Sequence, residues 1–148
     1  YQYAWTRDIP EPNILEIIEH YKNDYSIIHI KREDQKTYEG TMQALDGYRS
    51  IAILLQLSDK RLLIDSFAQH LASALNKKST VCWISTKPET FGYKLHDNIR
   101  ANAFTKEPTL TQAVYEPFGL SEDISSIPYN DLMEIFDTNK IITSINKQ

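Results

Sequence analysis

The segment from Arg61 to Ser85, RLLIDSFAQHLASALNKKSTVCWIS, limits what this chain can fold into more than any other stretch. Leu62-Leu63-Ile64 is a short apolar strand that ends in the polar pair Asp65-Ser66. Phe67, Leu71, Ala74 and Leu75 then recur at helical spacing, and Thr80 to Ile84 forms a second apolar strand. A strand, a polar turn, a helix and another strand make a βαβ unit, which demands a parallel sheet covered by helices. The turn falls at the carboxyl end of the first strand, where open parallel sheets bind ligands. A helix starting there offers unpaired backbone N–H groups and a positive dipole end, which together suit a phosphate.

The flanking sequence extends the same alternation. Pro10 and Pro12 mark a turn, with Asn13 as the expected N-cap of a first helix carrying Ile14, Ile17, Ile18 and Tyr21 on one face. Tyr25 to Ile30 is rich in β-branched residues and reads as a strand. Leu45 to Leu57 reads as largely helical, with Ile51, Leu54 and Leu55 facing inward. A further short strand is expected within Asp97 to Phe104. Beyond Glu107 the chain reads as peripheral, with helices expected over Thr109–Tyr115, Tyr129–Phe136 and Ile141–Ile145. The expected fold class is therefore α/β, a Rossmann-like open parallel sheet with helices on both faces. Residues 1–106 form the expected lobe, and residues 107–148 a helical extension packing on it.

Composition narrows the functional classes. Apolar residues make up 41% of the 148 and charged residues 24%, enough for one domain with a real core. The net charge of −4 lacks the basic footprint of a nucleic-acid binder. No apolar run approaches the roughly 18 residues of a membrane helix, and no signal peptide is evident. The chain opens on Tyr1 rather than methionine and is expected to be a piece of a longer protein, lacking part of its lobe. The single cysteine, Cys82, lies inside an apolar strand and reads as a core residue of a protein from a reducing compartment.

The loops after parallel strands gather on one edge. Three polar clusters are expected there: Lys31 to Gln35, Asp65 to His70, and Ser85 to Lys87. Asp65 and Ser66 either simply cap the helix, or cap it and also hold an anion through the Ser66 hydroxyl and the N–H groups of Phe67 and Ala68. Gln69 lies one turn in and is expected to be exposed. His70 shares a helix face with Ser66 and is placed to donate to a phosphate oxygen. Arg7 and Lys87 are candidate phosphate clamps. Phe91-Gly92-Tyr93 and His96 either wall a pocket or pack a loop, and loop packing is the favoured reading. GxGxxG, Walker A and GxSxG sequences are absent, and no histidines or cysteines stand at zinc-ligand spacing.

The run LLIDSFAQHLASALNKKSTVCWI resembles the C-terminal motif of family 9 glycosyltransferases, the heptosyltransferase-like group. That motif has an apolar strand, then Asp-Thr/Ser-Gly-x-x-His, a small-residue helix ending in Gly-Lys-Pro, and another apolar strand. Asp65, Ser66 and His70 match its spacing. Phe67 stands where the family has glycine, and Asn76-Lys77-Lys78 replaces Gly-Lys-Pro. Arg49 to Leu57 is similar to the family's preceding helix, and Trp5 with Arg7 to its tryptophan-containing loop. The resemblance implies one lobe of a GT-B fold, the donor-binding lobe. It implies that Asp65, Ser66, Phe67, His70 and Arg7 hold the donor diphosphate. Glu33, Gln69 and Lys87 are further candidates for the ribose or the pocket wall.

The implied activity is sugar transfer from a nucleotide-diphosphate sugar to a hydroxyl acceptor, in bacterial lipopolysaccharide or surface polysaccharide synthesis. No catalytic residue is expected in this chain, because the family's base lies on the other lobe. No metal or other cofactor is expected. The expected location is cytoplasmic, at the inner face of the bacterial inner membrane, with glycan or lipid-linked acceptors reaching the second lobe and no nucleic-acid partner. A non-catalytic nucleotide-sugar or phospho-ligand module, and a GT-B-like nucleotide-sugar epimerase, are the alternatives.

Overall fold

Proline costs nothing in the first turn of a helix, because the amides there have no intrahelical acceptor. That is how the chain begins in the computed structural model, which describes residues 8–45, 47–84, 86–102 and 132–148. Helix α1 (Glu11–Tyr21) starts with Pro10 as its N-cap and takes Pro12 into its first turn. Asn13 is consequently not the cap that the sequence suggested. It lies inside the helix, fully buried, and its Nδ2 donates to the Phe136 carbonyl at 3.1 Å and to Thr138 Oγ1 at 2.9 Å.

Strand β1 (Ile27–Lys31) pairs in parallel with β2 (Thr41–Leu45), from Ile27 opposite Thr41 to Lys31 opposite Leu45. The sequence reading had begun a helix at Leu45; the chain there is the end of a strand, and helix α2 (Tyr48–Leu57) starts only after Gly47. The pairing with β1 sets this backbone, and no local periodicity announces it. Gly40 leads into β2 at φ 81°, the left-handed region, and a Cβ there would lie 3.3 Å from Ile18 Cγ2.

A second parallel sheet holds β3 (Leu62–Ile64), β4 (Thr80–Trp83) and β5 (Asp97–Arg100), in that order. Helix α3 (Phe67–Ala74) crosses from β3 to β4, and the short α4 (Pro88–Phe91) lies between β4 and β5. The sequence suggested one open sheet; the ladders form two. They share cores nonetheless: Ile27 packs against the same buried cluster as Leu62 and Ile64, and Ile30 against the same one as Leu63. The domain is thus a small α/β unit with parallel sheets flanked by helices.

Alternation along β3 shows how the two faces are covered. Leu62 and Ile64 meet a core that also contains Ile17 and Tyr21 of α1, whereas Leu63 meets Ile51 and Leu55 of α2 and Ala72 of α3. Central strand β4 is buried along its length, and burial pushes the Cys82 thiol well above its usual range.

The C-terminal residues are not peripheral, as the sequence had suggested. Ile135, Phe136, Ile141 and Ile145 belong to the α1-side core. They come from a 3-10 turn and its exit (Leu132–Glu134 onward) and from helix α5 (Thr138–Ile145), capped by Asp137, which accepts from the Asn139 amide at 3.0 Å. The helix expected over Tyr129–Phe136 is therefore only this 3-10 turn where it is described, and the one over 109–115 lies outside the described residues. The α5 carboxyl end docks under the strands: Lys60 donates to the Ile145 carbonyl and Lys78 to that of Lys147, both at 3.2 Å, matching positive charge to the negative helix end. The Gln148 side chain accepts from the Arg61 amide at 2.7 Å and donates to the Arg61 carbonyl at 2.9 Å, pairing with the backbone just before β3.

Candidate functional site

The carboxyl edge of the β3–β4–β5 sheet is built around the end of β3. Apolar Leu62 to Ile64 stay in the sheet and Asp65 leaves it. Its Oδ2 accepts from Thr86 Oγ1 at 2.5 Å, joining the loops that follow β3 and β4. Two of the three expected clusters are therefore neighbours, as the topology required. The polar bonds of the third, Lys31 to Gln35, stay close to home. Arg32 holds both Asp34 oxygens, at 3.0 and 3.1 Å, and its amide donates to Gln35 Oε1 at 2.9 Å. Asp34 is held below the usual carboxylate range by those Arg32 bonds. Glu33 is exposed beside it, and Lys87 is exposed at the start of α4.

Ser66 occupies the N-cap of α3 in extended conformation, φ −154° and ψ 175°, and its carbonyl accepts from the Gln69 amide at 3.2 Å. Its hydroxyl makes no cap hydrogen bond. Serine is favoured at this position because its oxygen normally accepts from the second or third helical amide. Here that oxygen is uncommitted, beside the first amides of a helix at the carboxyl end of a parallel strand. Phe67 turns its ring outward, where it meets Tyr48 at the start of α2 edge-on, with centroids 5.1 Å apart.

Gln69 is not exposed; it is fully buried, and the expectation of a solvent-facing side chain fails. Its Nε2 donates to the Phe91 carbonyl at 3.2 Å, and its own carbonyl accepts from His96 Nε2 at 3.0 Å. The reason is tertiary: the loop from Phe91 to His96 folds onto that face of α3. Gly92 permits the fold, since a Cβ there would sit 2.6 Å from the Pro88 carbonyl oxygen. His70 is exposed at the rim, and its Nδ1 lies 3.0 Å from the Tyr93 hydroxyl, with the rings edge to face. Tyr93, which the sequence offered either as pocket wall or as loop packing, is thus brought beside His70 by the fold of the loop.

His96 is buried, with Nδ1 lacking a partner. Burial holds its pKa below the ordinary imidazole value, against the bond to Gln69, with Arg61 and His70 adding positive charge nearby. The segment Phe91 to His96 therefore packs α3. Arg7, Trp5 and Ser85 lie outside the described residues. Among the described residues, no group of three or more His, Cys, Asp or Glu side chains converges as a metal site, and no helix is long and apolar enough to cross a membrane.

No protein-family model matches this chain, and no curated protein or solved structure is significantly similar to it.

Proposed function

We propose that this domain binds a nucleotide-diphosphate sugar at the start of α3, as the donor lobe of a GT-B glycosyltransferase of the family 9 type. The observation that carries the reading is the Ser66 hydroxyl, left without a cap bond beside the first amides of a helix that begins at the carboxyl end of a parallel strand. In this reading the diphosphate accepts from the N–H groups of Phe67 and Ala68 and from the Ser66 hydroxyl. His70, oriented by the Tyr93 hydroxyl, adds a donor at the rim. Asp65 acts by holding the loop after β4 through Thr86. Glu33, at the end of β1, is the candidate for the ribose. Charge that builds on the leaving diphosphate during transfer is offset by helix dipole, amides and side chains. The acceptor and its base belong to a second lobe, and lipopolysaccharide or surface polysaccharide assembly at the cytoplasmic face of a bacterial membrane is the setting this implies.

A second reading is a nucleotide-sugar or phospho-ligand module without transferase activity. Phe67 favours it, because the family's glycine lets a phosphate approach the backbone where this chain carries a Cβ. Calorimetric titration with ADP-, GDP- and UDP-sugars addresses both readings. Binding is expected for at least one donor, and Ser66→Ala and His70→Ala are each expected to weaken it by about 1–3 kcal/mol, the range for charge-assisted hydrogen bonds. Absence of binding by a folded chain would reject both readings. Binding without sugar transfer when a family acceptor lobe is supplied would favour the second.

A further inference from the structure

Two aromatic side chains stand together in solvent at the start of α3. Tyr48 is 76% exposed and Phe67 48%, and neither belongs to a buried cluster. Their edge-on contact, at 5.1 Å between centroids, covers a face of only one ring. An aromatic ring left in water holds apolar area that a flat partner would bury. It takes such a partner at low entropic cost, since it turns about two side-chain bonds only.

The pair joins two helix starts. Helix α2 follows β2 and α3 follows β3, with two residues between strand and helix in each case. Neither α2 nor α3 has a side-chain cap bond or an acidic residue in its first turn. By contrast, α1 and α4 carry Glu11 and Glu89 in theirs, and α5 is capped by Asp137. The two helices that lack a negative group in the first turn are thus the two that Tyr48 and Phe67 bring together. Arg49, in the first turn of α2, is exposed and makes no ion pair among the described residues. Asp65, just before Ser66, accepts from Thr86, and Asp46 lies outside the described residues. An anion at Ser66 would therefore have an open aromatic surface beside it, reached through Phe67 itself.

We infer that Tyr48 and Phe67 take the aromatic base of the bound nucleotide by stacking. The inference rests on the diphosphate reading at α3 and names the side chains that hold the other end of that ligand. Phe67 then serves twice, its amide toward the phosphate and its ring toward the base. Stacking uses the π face of a base and not its edge, so it tolerates every base and favours the larger ring area of a purine. Arg49 adds a cation next to the stack.

The test is calorimetric titration of the full chain with pyrophosphate, ADP, GDP and UDP, repeated on Tyr48→Leu and Phe67→Leu. Leucine keeps apolar bulk and removes the π face. Both positions are exposed, so both variants should fold, which circular dichroism checks. ADP is expected to bind about tenfold or more tighter than pyrophosphate, the size of one stacked base. Each leucine variant is expected to remove most of that advantage while leaving pyrophosphate affinity within about twofold. Tyr48→Phe, which keeps the ring, should bind ADP as the parent does. ADP and GDP are expected to bind within about threefold of one another, and both more tightly than UDP. An ADP affinity that falls in Ser66→Ala but in neither leucine variant overturns the assignment and leaves the diphosphate reading standing. A gap of about tenfold or more between ADP and GDP also overturns it, because hydrogen bonds would then be reading the base. Binding of neither pyrophosphate nor any nucleotide by the folded chain overturns both.

Discussion

The two faces of the β3–β4–β5 sheet are built on different terms. On the α1–α5 face, residues distant in sequence are locked together by apolar packing and by buried polar bonds. Asn13 holds the Phe136 carbonyl and Thr138, the Tyr21 hydroxyl donates to Asn146 Oδ1 at 2.8 Å, and Thr80 and Ser144 share a hydroxyl contact of 2.7 Å. On the α2–α3 face the buried cluster is small, centred on Ile51, Leu55 and Ala72, and the outer surface of α2 leaves Ile53 and Leu57 in solvent, the latter 75% exposed. One face carries stability through long-range closure. The other keeps the start of α3, His70 and several apolar side chains accessible, which is where binding has room to occur.

The largest effect expected from this contrast comes from truncating each side. Phe136→Ala should cost about 3–5 kcal/mol in urea unfolding, because it opens a cavity where nothing can relax inward. Leu57→Ala on the opposite face should change stability by less than about 0.5 kcal/mol, as exposed substitutions do. Equal losses at the two positions would break the comparison.

Acid should act on the α3 side next. The folded His96 pKa is depressed by burial, so folded His96 resists protonation while the unfolded chain takes up the proton at its ordinary value, near 6.5. Above that value the ring is neutral in both states and its contribution to stability is fully present. As pH falls through it toward the lower folded pKa, the unfolded chain binds more protons and stability is lost. His29, also depressed chiefly by burial, adds a loss of the same sign. Urea midpoints measured from pH 7.5 to 5 should decline, and the slope should shrink in His96→Gln. A pH-independent midpoint would mean that neither ring is held neutral by the fold.

The smallest expected effect is the sharpest for function. A serine that caps a helix through its hydroxyl typically contributes about 0.5–2 kcal/mol. The Ser66 hydroxyl makes no such bond, so Ser66→Ala should leave the unfolding free energy within about 0.5 kcal/mol of the parent. A loss in the full capping range would show that the hydroxyl serves the helix, and would remove the main support for ligand binding at α3.

The limits of sequence reading follow the same division. The unit from Leu62 to Trp83 was legible because each of its parts declares itself locally: a three-residue apolar strand, a polar turn, and a helix whose inward residues recur at helical spacing. From it came the parallel sheet, the helices on both faces and the meeting of the loops after β3 and β4. Thr41–Leu45 was not legible, because its extended backbone depends on the ladder to β1 and its own residues carry no strong strand pattern. Asn13 looked like a cap because asparagine is favoured there, yet it serves as a buried clasp for the chain beyond Glu134.

At the candidate site the same rule holds. Asp65, Ser66 and His70 could be picked out by spacing, but Thr86, Tyr93 and Tyr48 reach them only through the folded loops. Gln69 read as exposed from its place on the helix and is buried because the loop from Phe91 to His96 covers it. By itself, then, the sequence determined the α/β class and the position of a helix start at the edge of a parallel sheet, since strand and helix periods are local properties of the chain. The tertiary structure alone decided which polar groups are paired, which are buried, and that Ile135 to Ile145 complete the core. Burial and pairing depend on partners more than a hundred residues away, and no local pattern encodes them.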